Sequence, residues 1–135
     1  MKPEQKKDFK KHMGLLFKEL KEKLNLKRTP KVVLVEDKEN ARKTLGGTGS
    51  YDKENEVIRL YITDRHPKDI LRTMSHELIH HEQNENGKLN SPSDKMQEAD
   101  PRYAQNDPIL REAEKDAYLR GCLMFRDFED RLKNE

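Results

Sequence analysis

Apolar residues recur every three or four positions near the start of the chain: Phe9, Met13, Leu16, Phe17, Leu20 and Leu24, with Lys and Glu between them. That period places them on one face of an amphipathic helix, predicted over about residues 4–25. Pro30 closes the connection to "KVVLVE" (31–36), a β-branched run suited to a buried strand. Gly46, Gly47 and Gly49 mark a turn or an irregular strand edge, and "DKEN" (52–55) marks a second turn. The clearest strand covers 56–62, where Ile58, Leu60 and Ile62 alternate with Val57, Arg59 and Tyr61. Three strands in sequence predict a small, mainly antiparallel sheet.

The period then returns to the helical one. Pro67 sits at a helix start, and Ile70, Leu71, Met74 and Leu78 share one side of "PKDILRTMSHELIHHEQ". From 84 to about 107 the chain is polar and broken by Gly87, Pro92, Pro101 and Pro108, which predicts a long functional loop. A last helix is expected over about 108–132. The pattern is that of an α+β fold in one domain: an N-terminal helix, a small sheet, a second helix, a polar loop and a closing helix.

Composition sharpens this picture. Of 135 residues, 40% are charged and 32% hydrophobic, with a mean hydropathy of −1.18. Leu, Ile, Val and Phe number 15, 5, 4 and 4. They make up about one residue in five, near the level at which disorder becomes plausible. The net charge is only +2, which argues against disorder. A thin core in so short a chain gains from a staple, and a metal ion is one of the few available. The single Cys122 cannot form an internal disulfide, and its expected role is that of a small packing residue. No run approaches the length of a membrane span or a secretion signal, so the expected location is cytoplasmic, with no membrane partner. Residues 1–31 hold 11 Lys/Arg against 4 Asp/Glu. This basic arm is read first as a solvated helix face, which makes a nucleic-acid partner the less favoured expectation.

One short stretch carries chemistry. In "SHELIHHEQ" (75–83), His76 and His80 lie four residues apart, on the same face of a helix, and can present both imidazoles to one metal ion. Glu77 stands about 100° round the helix, near enough to reach a water at the metal without ligating it. A shuffled chain of this composition contains the pattern about 0.02 times by chance. A catalytic zinc takes three protein ligands and leaves one position open. No histidine follows His81, so the third ligand must be a carboxylate, and "LREAEKDAYLRG" offers Glu112, Glu114 and Asp116. Measured from Leu110 at 100° per residue, Glu114 falls at about 40°, inside the apolar stripe formed by Leu110, Ala113, Ala117 and Gly121. Glu112 and Asp116 fall at about 200° and 240°, off the stripe. A carboxylate on an apolar face is costly unless paired or bound to metal, and Glu114 is therefore the leading candidate. Pairing with a buried Arg or Lys is the alternative explanation for it. His81 points away from His80, so an outer or surface role is expected, and His66 fits a helix start.

Residues 50–130 resemble the gluzincins, zinc peptidases with HExxH and a downstream glutamate. The nearest likeness is to small metallopeptidases of tailed bacteriophages, through "GSYDKENEVIRLYITDRHPKDILRTMSHELIHHEQ" and "DPILREAEKDAYLRGCLMFRDFED". Glu114, Ala117 and Gly121 match the family arrangement Glu-x-x-Ala-Asp-x-x-Gly, while Tyr118 stands where the family has Asp. A second alignment makes Glu112 the ligand and Asp116 its partner, and ranks below the first. The resemblance implies a minimal zincin-like domain, Zn2+ as cofactor, a peptide or protein substrate, and metal ligands His76, His80 and Glu114. Glu77 is then the general base, and Tyr103 and Tyr118 are candidates to stabilise the oxyanion. The strand near "GTGSY" is a candidate edge for an extended peptide. Two other readings stand beside this one: a non-catalytic protein stapled by its metal, whose basic helix contacts a partner or nucleic acid, and a zinc hydrolase acting on a non-peptide amide.

Overall fold

A computed structural model describes residues 2–39, 47–89, 96–97 and 107–134. The chain forms helix α1 (Pro3–Lys23), strands β1 (Lys31–Val35), β2 (Gly49–Asp52) and β3 (Val57–Tyr61), helix α2 (Pro67–Glu85), strand β4 (Met96–Gln97) and helix α3 (Pro108–Lys133). Each helix begins with proline at its first position, where a missing N–H costs nothing. Capping completes the starts of the two later helices. His66 Nδ1 accepts from the Lys68 amide at 3.1 Å, and Asp107 Oδ1 accepts from the amides of Ile109 and Leu110 at 3.0 and 3.4 Å. The predicted helix at 108–132 and the helix-start role of His66 correspond to these features.

The sheet runs in the order β1-β3-β2-β4. β2 pairs antiparallel with both β3 and β4, while β1 pairs parallel with β3, Val32 opposite Ile58 and Leu34 opposite Leu60. The sheet is thus mixed, with antiparallel pairing in two of its three ladders. A tight turn joins β2 to β3: Asp52 accepts from the amides of Glu54 and Asn55 and from the Asn55 side chain, and Glu56 adopts φ 55°. β1 lies on the far side of β3 from β2. The turn at "DKEN" was legible in the sequence, whereas the parallel pairing of β1 was not.

α2 lies at the centre. It packs against α1, α3, β2 and β3 and is buried on almost every side. Ile70, Met74, Leu78 and Ile79 meet the core, and Ser75, His76, Glu77, His80, His81 and Gln83 are buried beside them. α1 contributes Phe9, Leu16 and Leu20, the sheet contributes Tyr51, Ile58 and Leu60, and α3 contributes Leu110, Phe125 and Phe128. Removing any one fully buried Leu to Ala costs about 2–5 kcal/mol, a large share of the stability of a domain this size. No helix among the described residues is long and apolar enough to cross a membrane.

The predicted loop at 84–107 is shorter at its start than its sequence implies. α2 continues to Glu85, a turn reaches Leu89, and Met96–Gln97 pair as a strand. Tyr103, with 90–95 and the rest of 98–106, lies outside the described residues.

Candidate metal centre

The crossing of α2 and α3 depends on small side chains. Ala113, Ala117 and Gly121 are buried on the face of α3 that meets α2. A Cβ at Gly121 would stand 3.1 Å from His76 Cα and 3.2 Å from His76 N. Only glycine permits this approach without displacing the backbone that carries the histidine. The close crossing brings a residue seven positions before Gly121, Glu114, onto the imidazoles of α2.

There three groups converge. His76 Nε2 lies 2.5 Å from Glu114 Oε1, His80 Nε2 lies 3.4 Å from Glu114 Oε2, and the two ring nitrogens are 3.2 Å apart. Their side chains are 10%, 1% and 19% exposed for His76, His80 and Glu114. Glu77 is buried next to them, and a carboxylate oxygen of Glu77 and one nitrogen of each histidine lie within 4.8 Å of one another. Glu112 faces solvent and pairs with Lys115 at 3.8 Å. The structure therefore brings Glu114, and not Glu112, to the histidines, on the face of α3 that helical periodicity assigns to it.

A relay behind His80 fixes its tautomer. His80 Nδ1 lies 2.8 Å from Gln83 Oε1, while Gln83 Nε2 donates to the Ala113 carbonyl at 2.9 Å and to Asp116 Oδ2 at 2.8 Å. Both of those partners are acceptors, so the Gln83 amide has one satisfying orientation, with its oxygen toward His80. His80 Nδ1 must then carry the proton, and in the neutral ring Nε2 presents a bare lone pair. Asp116 in turn accepts two hydrogen bonds from Arg120, whose guanidinium also forks onto Glu82 at 2.7 and 2.8 Å. Hydrogen bonds from Arg120, opposed by burial and aided by Gln83, hold the Asp116 carboxyl below its ordinary range.

The same balance ionises Glu114. Burial raises its pKa, but the His76 imidazole, and after it that of His80, outweigh that and hold it well below the usual carboxylate range. A lone pair of His80, the Nε2 of His76 and an ionised carboxylate thus point at one another. The donor chemistry fits zinc, whose ligand bonds of about 2.0–2.2 Å in a tetrahedron set neighbouring donors about 3.3–3.5 Å apart. The 3.4 Å separation falls at that spacing and the 3.2 Å one just below it, while His76 Nε2 and Glu114 Oε1, 2.5 Å apart, are in direct hydrogen-bonding contact.

A cleft of about 200 Å³ opens on His76, and its lining includes Arg65, Arg72, Thr73 and Tyr118. Tyr118 is 66% exposed, and its ring meets the His76 ring edge-on at 5.2 Å. Cys122 is exposed on the same cleft, contrary to the expectation of a packing role, because α3 turns that face away from the core.

His81 is buried too, so a surface role does not hold. Tyr51 Oη and His81 Nδ1 are 2.8 Å apart, and His81 Nε2 is 2.8 Å from the Arg28 carbonyl. No local pattern points to this pairing, because its partners come from β2 and the α1–β1 connection. Gln83 was equally hidden, since its amide acts across a helix crossing and not along one helix.

No family model matches the chain, and no curated protein or solved structure matches it either. The geometry of the site therefore stands on its own.

Proposed function

We propose that the protein is a zinc-dependent peptidase of the gluzincin type, with His76, His80 and Glu114 as metal ligands and Glu77 as general base. The observation that carries this reading is the convergence of two imidazole nitrogens and an ionised carboxylate beside a second, buried carboxylate. A purely structural zinc site has no use for Glu77 at that position. Zinc, when bound, activates water and polarises a carbonyl.

The chain's own groups supply the rest. Gln83 keeps the His80 proton on Nδ1, so that Nε2 is available as a ligand. Glu77, shielded from bulk water, takes the proton of the attacking water and passes it to the departing amine. Tyr118 stands at the cleft mouth against His76, where its hydroxyl can donate to the developing oxyanion. Tyr103 keeps the same candidate role from the sequence alone.

The test is the pair Glu77→Gln and Glu114→Ala, assayed for zinc content and for hydrolysis of a quenched peptide pool. Glu77→Gln should keep one zinc per chain and lose at least about a hundredfold in rate, in line with the contribution of general base catalysis. Glu114→Ala should lose both. Zinc-loaded wild type that cleaves no peptide would favour the metal-stapled binding protein instead.

A further inference from the structure

The cleft beside His76 has a chemical character of its own. Two of its lining side chains are cationic, Arg65 and Arg72, and one, Asp69, is anionic. Arg72 is already engaged: its Nη1 lies 3.0 Å from Asp69 Oδ1, and its guanidinium sits over the Phe125 ring at 5.6 Å. Asp69 is thereby neutralised within the cleft. Arg65 has no such partner. It is half-buried, it is presented by the turn between β3 and α2, and no described carboxylate lies within ion-pair distance of it. The turn that places it includes Asp64 at φ 56° and an Arg65 amide donating to the Ile62 carbonyl at 3.4 Å.

A half-buried guanidinium without a counter-charge, opening on the same 200 Å³ space as a candidate metal ligand, is a site for an anion. We infer that Arg65 binds a carboxylate of the substrate, so that the enzyme selects peptides bearing an acidic side chain or a free C-terminal carboxylate close to the cleaved bond. Arg72, clamped by Asp69 and Phe125, adds positive potential and sets the wall of the cleft. This inference rests on the peptidase reading and extends it to the substrate class. The carboxylate has two possible sources, and both share the planar, two-oxygen geometry that a guanidinium fork matches.

The experiment uses zinc-loaded protein and matched peptides with Glu, Gln or Lys near the cleaved bond, each made with a free and an amidated C-terminus. Wild type should cleave the Glu peptide, or the free-carboxylate form, about tenfold or more faster than its neutral match, the effect of one charge-assisted hydrogen bond. Arg65→Ala should bring that ratio close to one, and Arg65→Glu should turn it toward Lys. Preference confined to the free C-terminus assigns the carboxylate to the chain end; preference that survives amidation assigns it to the side chain. Equal cleavage of all peptides by wild type, or an unchanged ratio in Arg65→Ala, would overturn the inference and leave the peptidase reading standing. A calorimetric titration of the same peptides into zinc-loaded Glu77→Gln separates the two ideas further. There the carboxylate preference should appear in Kd without turnover, and its absence in Kd sinks the anion site even if no peptide is cleaved. Melting temperature and zinc content equal to wild type confirm that each Arg65 variant is folded.

Discussion

α2 carries two buried histidine–carboxylate clusters one residue apart, and they are built for opposite ends. Around His81 every group is matched. Tyr51 and the Arg28 carbonyl take its two nitrogens, Glu85 accepts the Lys27 and Arg28 amides at 2.9 and 2.6 Å, and Glu56 receives the Arg28 guanidinium at 2.7 Å. Burial acts to raise the Glu85 pKa, yet those amide hydrogen bonds hold it below its ordinary range. Around His76 and His80 the arrangement is different: ring nitrogens and a carboxylate face one another, while His80 Nδ1 faces away toward Gln83. Residue types alone do not separate a latch from a metal centre. What distinguishes the two clusters is which groups meet them: backbone amides, a carbonyl and a guanidinium around His81, a buried carboxylate and a glutamine amide around His76 and His80. The His81 cluster ties the α1–β1 connection to α2; the other gathers the candidate metal ligands.

That contrast can be broken in several ways, beginning with the largest effect. His80→Ala should abolish stoichiometric zinc by elemental analysis, whereas His81→Ala should retain it. The His81 variant should instead lose about 2–4 kcal/mol in denaturant unfolding, because the Tyr51 hydroxyl and the Arg28 carbonyl lose a buried partner. Zinc lost equally in both variants would erase the distinction between the clusters. Gln83→Ala leaves the three ligands in place but frees the His80 tautomer, and zinc affinity in a competitive chelator titration should fall about 10–100-fold. Gly121→Ala forces a methyl against the His76 backbone and should cost about 1–3 kcal/mol in thermal or chemical unfolding. Glu112→Ala, on the exposed face, should change stability by less than about 0.5 kcal/mol and leave zinc content unchanged.

Acid sharpens the comparison from another side. Glu85 and Asp116 both have folded pKa values below their unfolded ones. Their stabilisation is therefore complete above the unfolded carboxylate range near pH 4, and is lost as pH falls through the lower folded values. The melting temperature of metal-free protein should drop in that window. Asp116→Asn should flatten part of the drop, and an unchanged acid limb would remove Asp116 from the account.

Much of this was open to reading from the residues. Periodicity located the three helices, and proline placed two of their starts. The central strand was legible in the alternation around Ile58 and Leu60. Glu114 could be singled out because a carboxylate in the middle of an apolar stripe is a thermodynamic anomaly within one helix, and an anomaly of that kind needs no knowledge of neighbours. The outer shell could not be found that way. Gln83 and Asp116 look like surface polar residues until α2 and α3 cross. His81 looks like a spare beside the motif until Tyr51 and Arg28 arrive from elsewhere.

The sequence by itself determined the helix that presents His76, Glu77 and His80, since an i, i+4 pair on one face is a property of local backbone geometry. It also determined the stripe that carries Glu114, through the 3.6-residue period of α3. Tertiary structure alone decided the rest: the glycine-permitted crossing that brings Glu114 to the imidazoles, the relay that assigns the His80 proton, the parallel placement of β1, and the cleft that gathers Arg65 beside His76. Each of these depends on distances between elements far apart in the chain, and no local periodicity encodes such distances.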